Sequence, residues 1–191
     1  MKGEKIKNVG IVDPNSQMLM GHPELVVRNF VYSTNVFKTY GRLSPYFRAL
    51  AEEHKIYATR CVDHGTFLPP RPSCPDCQTT KMEWVDYTNK PATIKTASIC
   101  NFAGEAFLDE IPYALGFIQM VEAKTVMSSV VKLSEEKSKN DELLNALMSK
   151  RRYLELNGKR VVPRFADKPS YTVRDLWFLV DDKKFIESLS V

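Results

Sequence analysis

Apolar and polar positions along this chain follow two different periods. From Met82 onward a period of two dominates. Met82–Thr88 alternates apolar and polar side chains, and Ala92–Asn101 does so less cleanly. Tyr113–Val121 is almost continuously apolar, which predicts a strand buried on both faces. Val126–Val131, Arg160–Phe165 and Tyr171–Val180 complete six short candidate strands separated by turn signals. Short strands at this spacing predict a small closed or partly open barrel.

One segment between these strands follows the helical period instead. Residues 134–156 are charged and poor in strand formers, with Leu143, Leu144, Leu147, Met148 and Leu154 at helical spacing. Ser138 or Asn140 is a candidate N-cap, and Lys150, Arg151 and Arg152 lie in the last turns, where cations suit the helix dipole. Five apolar side chains are more than an exposed loop needs. Burial against the barrel is the expected fate of that stripe, with docking to a partner chain as the alternative. The OB-fold is the commonest small barrel of this kind.

The first part of the chain reads differently. Residues 1–42 mix charges, Pro14, Pro23 and short apolar runs, an extended arm with weak strand tendency around Leu25–Tyr32. Ser44-Pro45 is a helix start, with serine as N-cap and proline at the first helical position. The helix Tyr46–Glu53 places Phe47, Leu50 and Ala51 on one face. Lys55–Arg60 is a short strand, and Phe67–Pro72 is stiffened by three prolines that exclude helix. The expected architecture is mainly β with some α. It has an N-terminal helical arm (1–54), a metal-bound ribbon (55–80) and a small OB-type β-barrel (81–191) with the helix 134–156 inserted.

Chemistry concentrates in the ribbon. Cys61-Val-Asp-His64-Gly and Cys74-Pro-Asp-Cys77 are two ligand loops with two-residue spacers, and they contain three of the four cysteines. Zn²⁺ takes four tetrahedral sulfur or nitrogen ligands, and paired loops of this spacing supply them. A disulfide is the competing reading. It requires an oxidising compartment, whereas the N-terminal Met1–Asn8 is charged and shows no signal-peptide core, so a cytoplasmic location is expected. Within the set His64 is the weakest ligand, although Gly65 after it suits a knuckle that needs positive φ. Four protein ligands leave no open position for water or substrate, and three thiolates with one imidazole leave about one net negative charge. One structural zinc is therefore expected, not a catalytic one.

Composition narrows the function classes. The formal net charge of +4 permits an anionic partner without demanding one, and falls short of a dense basic stripe. No stretch approaches the roughly 18 apolar residues of a membrane span. Cys100, the one thiol outside the metal loops, has no neighbouring histidine, and His22 and His54 read as solvated. No nucleophile–base–acid order stands out, so no catalytic residue is assigned.

The order of motifs resembles a known family. Phe30-Val-Tyr32, Lys55-Ile-Tyr-Ala, Cys61-x-x-His64-Gly, Phe67-x-Pro-Pro-Arg71, Cys74-Pro-x-Cys77, Glu83-Trp84 and Lys168-Pro-Ser-Tyr-Thr-Val-Arg-Asp-Leu-Trp-Phe178 together resemble the DUF35 proteins, over about residues 25–182. The resemblance implies a zinc ribbon plus OB-fold that serves as a non-catalytic subunit beside a thiolase-fold catalytic chain, a related acyl-CoA condensing or cleaving enzyme, or a steroid-degradation aldolase. Such subunits assist assembly and the binding of a CoA ester at or near the interface. A dedicated complex of the benzoylsuccinyl-CoA thiolase type is one form this takes. Two departures stand out: His64 replaces a usual cysteine, and 134–156 is longer than the usual connection. Candidate CoA contacts are Arg71, Lys150, Arg151, Arg152 and Arg160, by charge attraction to phosphates, with solvated cations as the alternative. The competing function is a single-stranded nucleic-acid-binding module. Against it, Trp84, Tyr87, Phe117, Trp177 and Phe178 alternate with core positions, not with Lys or Arg, which predicts a packed core and not a stacking platform.

Overall fold

The computed structural model describes residues 11–12, 30–31, 40–102 and 110–189. The chain divides into two compact units, Met1–Thr39 and Tyr40–Val191. In the first, β1 (Ile11–Val12) and β2 (Phe30–Val31) pair antiparallel, with Ile11 opposite Val31. Phe30–Val31 lies within the stretch expected to favour strand. Tyr32 and His22 lie outside the described residues.

The second unit opens with a short 3-10 turn, Gly41–Leu43, that runs into α1 (Ser44–Arg48) and a wider π turn, Ala49–Glu53. Pro45 sits in the first turn, as its fixed φ and missing N–H favour. Ser44 is not the cap: it is the first helical residue, because the preceding 3-10 turn already supplies the entry, and no side chain caps the helix. Tyr46 and Leu50 point into the main core, with Phe47 packed against its edge. Burial raises the Tyr46 hydroxyl far above its ordinary pKa.

The ribbon is a three-stranded antiparallel sheet of β3 (Tyr57–Cys61), β4 (Gly65–Phe67) and β5 (Glu83–Asp86), in the order β4-β3-β5. The expectation that Met82–Thr88 contributes a barrel strand is corrected here. Its strand, β5, pairs with β3, setting Trp84 opposite Thr59 and Glu83 opposite Arg60.

Five strands close the barrel: β6 (Ala92–Cys100), β7 (Tyr113–Met120), β8 (Met127–Lys132), β9 (Arg160–Phe165) and β10 (Leu176–Val180). Their order is β10-β8-β7-β6-β9, closed by β9 on β10. Every pair is antiparallel except β8 with β10. This five-stranded closed barrel is of the OB type. Ile94, Ile118, Met120, Val131, Leu176 and Phe178 fill its interior and are essentially fully buried. Gly116 faces inward too, where a Cβ would meet Val131 Cγ2 at 2.8 Å. The strand there has room for backbone only.

β7 is not buried on both faces, as its composition suggested. Its burial alternates, and Leu115 and Phe117 stand 42% and 49% exposed on the outside of the barrel. A closed barrel has one interior, so the apolar residues of the other face remain at the surface unless something else covers them.

Between β8 and β9 runs α2 (Lys137–Ser149), which buries Leu143, Leu144 and Leu147 in the same core as the barrel strands. Neither Ser138 nor Asn140 caps it, because the helix begins at Lys137. Asn140 is buried in the first turn, where its side-chain oxygen accepts a hydrogen bond from the backbone of Leu133 at 2.8 Å and ties the helix to the end of β8. Leu154 falls beyond the helix and is 63% exposed, while Leu156, in the following 3-10 turn, is buried. Tyr171–Asp175 is likewise not strand. Ser170 donates through its N–H and its hydroxyl to the buried Asp175 carboxylate, and the Thr172 N–H donates to the same group, folding a tight turn before β10. The chain then packs α3 (Lys183–Leu189) on the core through Phe185 and Leu189.

Leu144→Ala is expected to cost about 2–5 kcal/mol of stability by leaving a cavity. Leu154→Ala, at an exposed position, should stay within about 0.5 kcal/mol. Urea denaturation midpoints check the pair; equal effects would mean that α2 does not pack as described.

Candidate metal centre and adjoining surface

Two tight turns build the metal centre at the end of the ribbon sheet. Cys61 is the last residue of β3 and Gly65 the first of β4, so the first ligand pair spans the hairpin between them. The second pair lies on a turn in which the Gln78 N–H bonds the Cys74 carbonyl and the Cys74 N–H bonds the Thr79 carbonyl, both at 2.9 Å. Each turn needs a left-handed residue just after its second ligand. Gly65 (φ +85°) and Gln78 (φ +58°) fill that role, and only the glycine was legible in advance.

The ligand atoms of Cys61, His64, Cys74 and Cys77 all lie within 4.8 Å of one another. Cys61 Sγ is 3.5 Å from His64 Nδ1 and 3.7 Å from Cys77 Sγ. Zinc bonds of about 2.3 Å to sulfur and 2.0–2.1 Å to nitrogen set tetrahedral edges of about 3.6 Å between S and N and about 3.8 Å between two S atoms. The spacing therefore fits one zinc ion bound through His64 Nδ1. A sulfur–sulfur distance of 3.7 Å is far beyond the ~2.05 Å of a disulfide, and all three thiols are free. His64, the weakest of the four from sequence, is placed with the others.

Electrostatics around the thiols favour a bound cation. Burial pushes the Cys74 thiol up, but N–H groups of Cys77 and Asp76 directed at its sulfur outweigh that and bring it below its ordinary value. At Cys77 the Thr79 backbone lowers the thiol, yet burial and the adjoining Cys74 and Cys61 thiols prevail and raise it. Crowded thiols resist ionising together until a cation compensates them.

The metal loops are fastened to the barrel through the linker. Leu68 exchanges two hydrogen bonds with the Thr125 hydroxyl, at 2.9 and 2.8 Å, and the Lys124 N–H donates to the Thr66 carbonyl at 2.8 Å. The buried Thr59 hydroxyl in turn accepts from Arg71 N–H at 2.7 Å and donates to the Arg71 carbonyl at 3.1 Å. The prolines stiffen this connection, and the two threonines hold it in place.

The five cations considered as CoA contacts do not form one cluster. Arg71 lines a concavity on the ribbon with Arg42, Met82 and Trp84. Arg152 makes a two-point ion pair with Glu155 at 2.7 and 2.8 Å and also reaches Ser188. Lys150, at the end of α2, donates to the Leu189 carbonyl at 3.5 Å; Arg151 follows with φ +54°. Arg160 lies 3.7 Å from Asp181, beside a separate depression with Lys90 and Arg164.

Residues 48–83 match the family model described as the ChsH2 rubredoxin-like zinc ribbon domain. Over 98 residues the chain is 26% identical to a DUF35 domain-containing scaffold protein of Pyrococcus furiosus, covering 51% of this chain and 71% of that protein. A DUF35 domain-containing scaffold protein of Methanothermobacter thermautotrophicus is 26% identical over 87 residues, which cover 44% of this chain and 65% of the relative. The chain is thus similar to DUF35 scaffold proteins over about half its length, and its ribbon matches the ChsH2 zinc-ribbon model. A solved structure described as the Ltp2-ChsH2(DUF35) aldolase shares the fold, with a TM-score of 0.51 at 15% identity, covering 73% of this chain and 94% of that one.

Beyond the ribbon, the chain shows no nucleophile–base pair among the described residues. Of its described histidines, His64 belongs to the metal set and His54 stacks on Phe165, with ring centroids 5.2 Å apart. Cys100 neighbours Tyr113, whose hydroxyl is raised by its hydrogen bond to that thiol and by the thiolate's charge. The aromatic residues divide. Tyr87 and Phe178 are buried as expected, but Trp84 and Phe117 are 39% and 49% exposed, and Lys132 sits over the Trp177 ring at 4.2 Å. The packed-core expectation is corrected for those three, whose side chains lie outside the barrel interior.

The purified chain is expected to carry one zinc per molecule by metal analysis. His64→Cys, which supplies a thiolate at the same spacing, should keep it, whereas Cys74→Ser should lose most of it. Metal should also be released as pH falls, because protons compete for the thiolates. Retention of full metal by the Cys74 variant would remove this ligand set.

Proposed function

We propose that this chain is a non-catalytic subunit of a thiolase-type complex acting on acyl-CoA thioesters. It helps assemble the complex and shapes the binding of the CoA ester, while a separate thiolase-fold chain carries the reacting nucleophile. The observation that carries this reading is the closed metal centre. Four protein ligands fit one tetrahedron, so the ion serves to fix loops and offers no position for substrate. The named relatives agree in kind: two are scaffold proteins, and one solved structure is an aldolase that includes a DUF35 component. The benzoylsuccinyl-CoA thiolase type is one such complex.

The outer face of the barrel supports an assembly role. Leu115 and Phe117 on β7 adjoin the half-buried Val130 on β8, which stands opposite Trp177 on β10. Adjacent apolar side chains on the outside of a closed barrel are the kind of surface that a partner chain covers. α2 offers no such surface, since its apolar stripe is used in the core. The partner would therefore meet the barrel wall and not the inserted helix.

Purification of the untagged chain from its source should bring down a thiolase-fold chain in a stable hetero-oligomer, seen by size-exclusion chromatography with light scattering. Phe117→Asp should weaken that complex about tenfold or more while leaving fold and zinc content unchanged. Thiolysis or condensation activity by the isolated chain would contradict the non-catalytic assignment. Recovery with RNA in place of a protein partner would favour the nucleic-acid reading.

A further inference from the structure

The three thiols of the metal centre are not equally protected. Cys61 and Cys74 are each 1% exposed, whereas Cys77, on the second ligand turn, is open to solvent. A metal-bound cysteine is held as the thiolate at neutral pH, the form that attacks oxidants. Of the three residues, Cys77 alone is both activated and accessible. Beside it stands a second thiol: Cys61 Sγ, on the last residue of β3, is 3.7 Å from Cys77 Sγ. An accessible thiolate next to a sheltered one is the arrangement of a redox-responsive pair, in which the first sulfur is oxidised and the second resolves it. The fourth cysteine does not share this arrangement. Cys100 lies in the barrel, opposite Tyr113 on β7, and is no part of the ligand cluster.

We propose that Cys77 is a site of reversible oxidation by hydrogen peroxide, resolved by Cys61 into a Cys61–Cys77 disulfide that gives up the zinc. The Cys77 sulfur attacks one peroxide oxygen. The O–O bond breaks, an S–O bond forms and hydroxide leaves, giving a sulfenic acid. The Cys61 thiolate then attacks that sulfur, an S–S bond forms and a second hydroxide leaves. Two protons from solvent convert the hydroxides to water. The two thiolates have lost two electrons and the peroxide has gained them. Only His64 and Cys74 then remain as ligands, where zinc takes four. The consequence is local. The apolar cluster around the ligands holds only Cys61, Phe67 and Cys74, with Met82 against it, so the ligand turns depend on the metal for their order. The barrel interior is a separate cluster that contains none of the ligands. Oxidation therefore loosens the ribbon and leaves the barrel folded, and reduction in the presence of zinc restores the ribbon.

Hydrogen peroxide added to the full zinc-loaded chain tests this, with a chromophoric zinc chelator and peptide mass spectrometry as readouts. Zinc should be released in step with formation of a Cys61–Cys77 disulfide, while Cys100 stays reduced. In a Trp177→Phe background the fluorescence of Trp84, which lies on β5 of the ribbon, should change as the zinc leaves. The far-ultraviolet circular dichroism of the barrel should persist. Dithiothreitol with added zinc should reverse both the disulfide and the fluorescence change. Cys77→His, which keeps four ligands without an accessible thiol, should slow the release about tenfold or more. Cys100→Ser should release zinc at the unaltered rate. Retention of zinc at a peroxide excess that oxidises Cys100 would overturn the proposal. So would a Cys74–Cys77 disulfide in place of the expected one, or conversion of Cys77 to a sulfinic acid with no disulfide formed. Disulfide mapping on the unaltered chain decides the matter even where the Cys77 variant does not fold.

Discussion

Four ligand atoms converging on one point hold the first part of the folded unit in place. Between Cys61 and Cys77 the chain has short strands, tight turns and a proline-rich linker, and the apolar cluster there is small: Cys61, Phe67 and Cys74, with Met82 against it. So few buried side chains cannot offset the conformational entropy of ordering such a segment. Metal–ligand bonds can, because a zinc site of this type contributes its binding free energy to folding. The rest follows from that anchor. With both turns fixed, the linker between them is held at each end, and the hydroxyls of Thr59 and Thr125 set its path against the sheet and the barrel.

The barrel is stabilised in a different way. Its core is continuous with Leu143, Leu144 and Leu147 of the inserted helix and with Phe185 and Leu189 of α3, so helices and strands share one apolar interior. Buried polar groups join the pieces where apolar packing alone would leave backbone donors unmet. Asn140 accepts from Leu133, and Asp175 gathers the donors that start the last strand. The Lys-Pro-Ser-Tyr-Thr-Val-Arg-Asp stretch, one of the motifs that carry the resemblance, is thus explained as a turn built around a buried carboxylate.

Function divides along the same line. The metal stiffens a ribbon that displays two arginines and a tryptophan, while the barrel displays an apolar wall. Among the described residues, neither surface shows a nucleophile–base pair. On the proposed reading, a chain that presents a charged concavity and an apolar face positions a ligand and a partner.

Much of this was legible in the chain because it rests on local chemistry. The spacing of Cys61, His64, Cys74 and Cys77 announces a tetrahedral site, since a two-residue spacer is what lets a turn bring two ligands together. All six candidate strands and the helical period of α2 could be read for the same reason: periodicity reports which side chains share a face. Periodicity cannot say which face finds a partner. Leu115 and Phe117 look like core residues in sequence and lie on the outer wall, because a closed barrel has only one inside. Glu83–Asp86 reads as one more barrel strand and pairs with the ribbon, because pairing depends on which strand edge is available. Arg42 and Arg71 meet at one concavity although nothing local links them. Local chemistry determined the metal site and the elements; only closure of the barrel and docking of the linker decided which surfaces remained exposed.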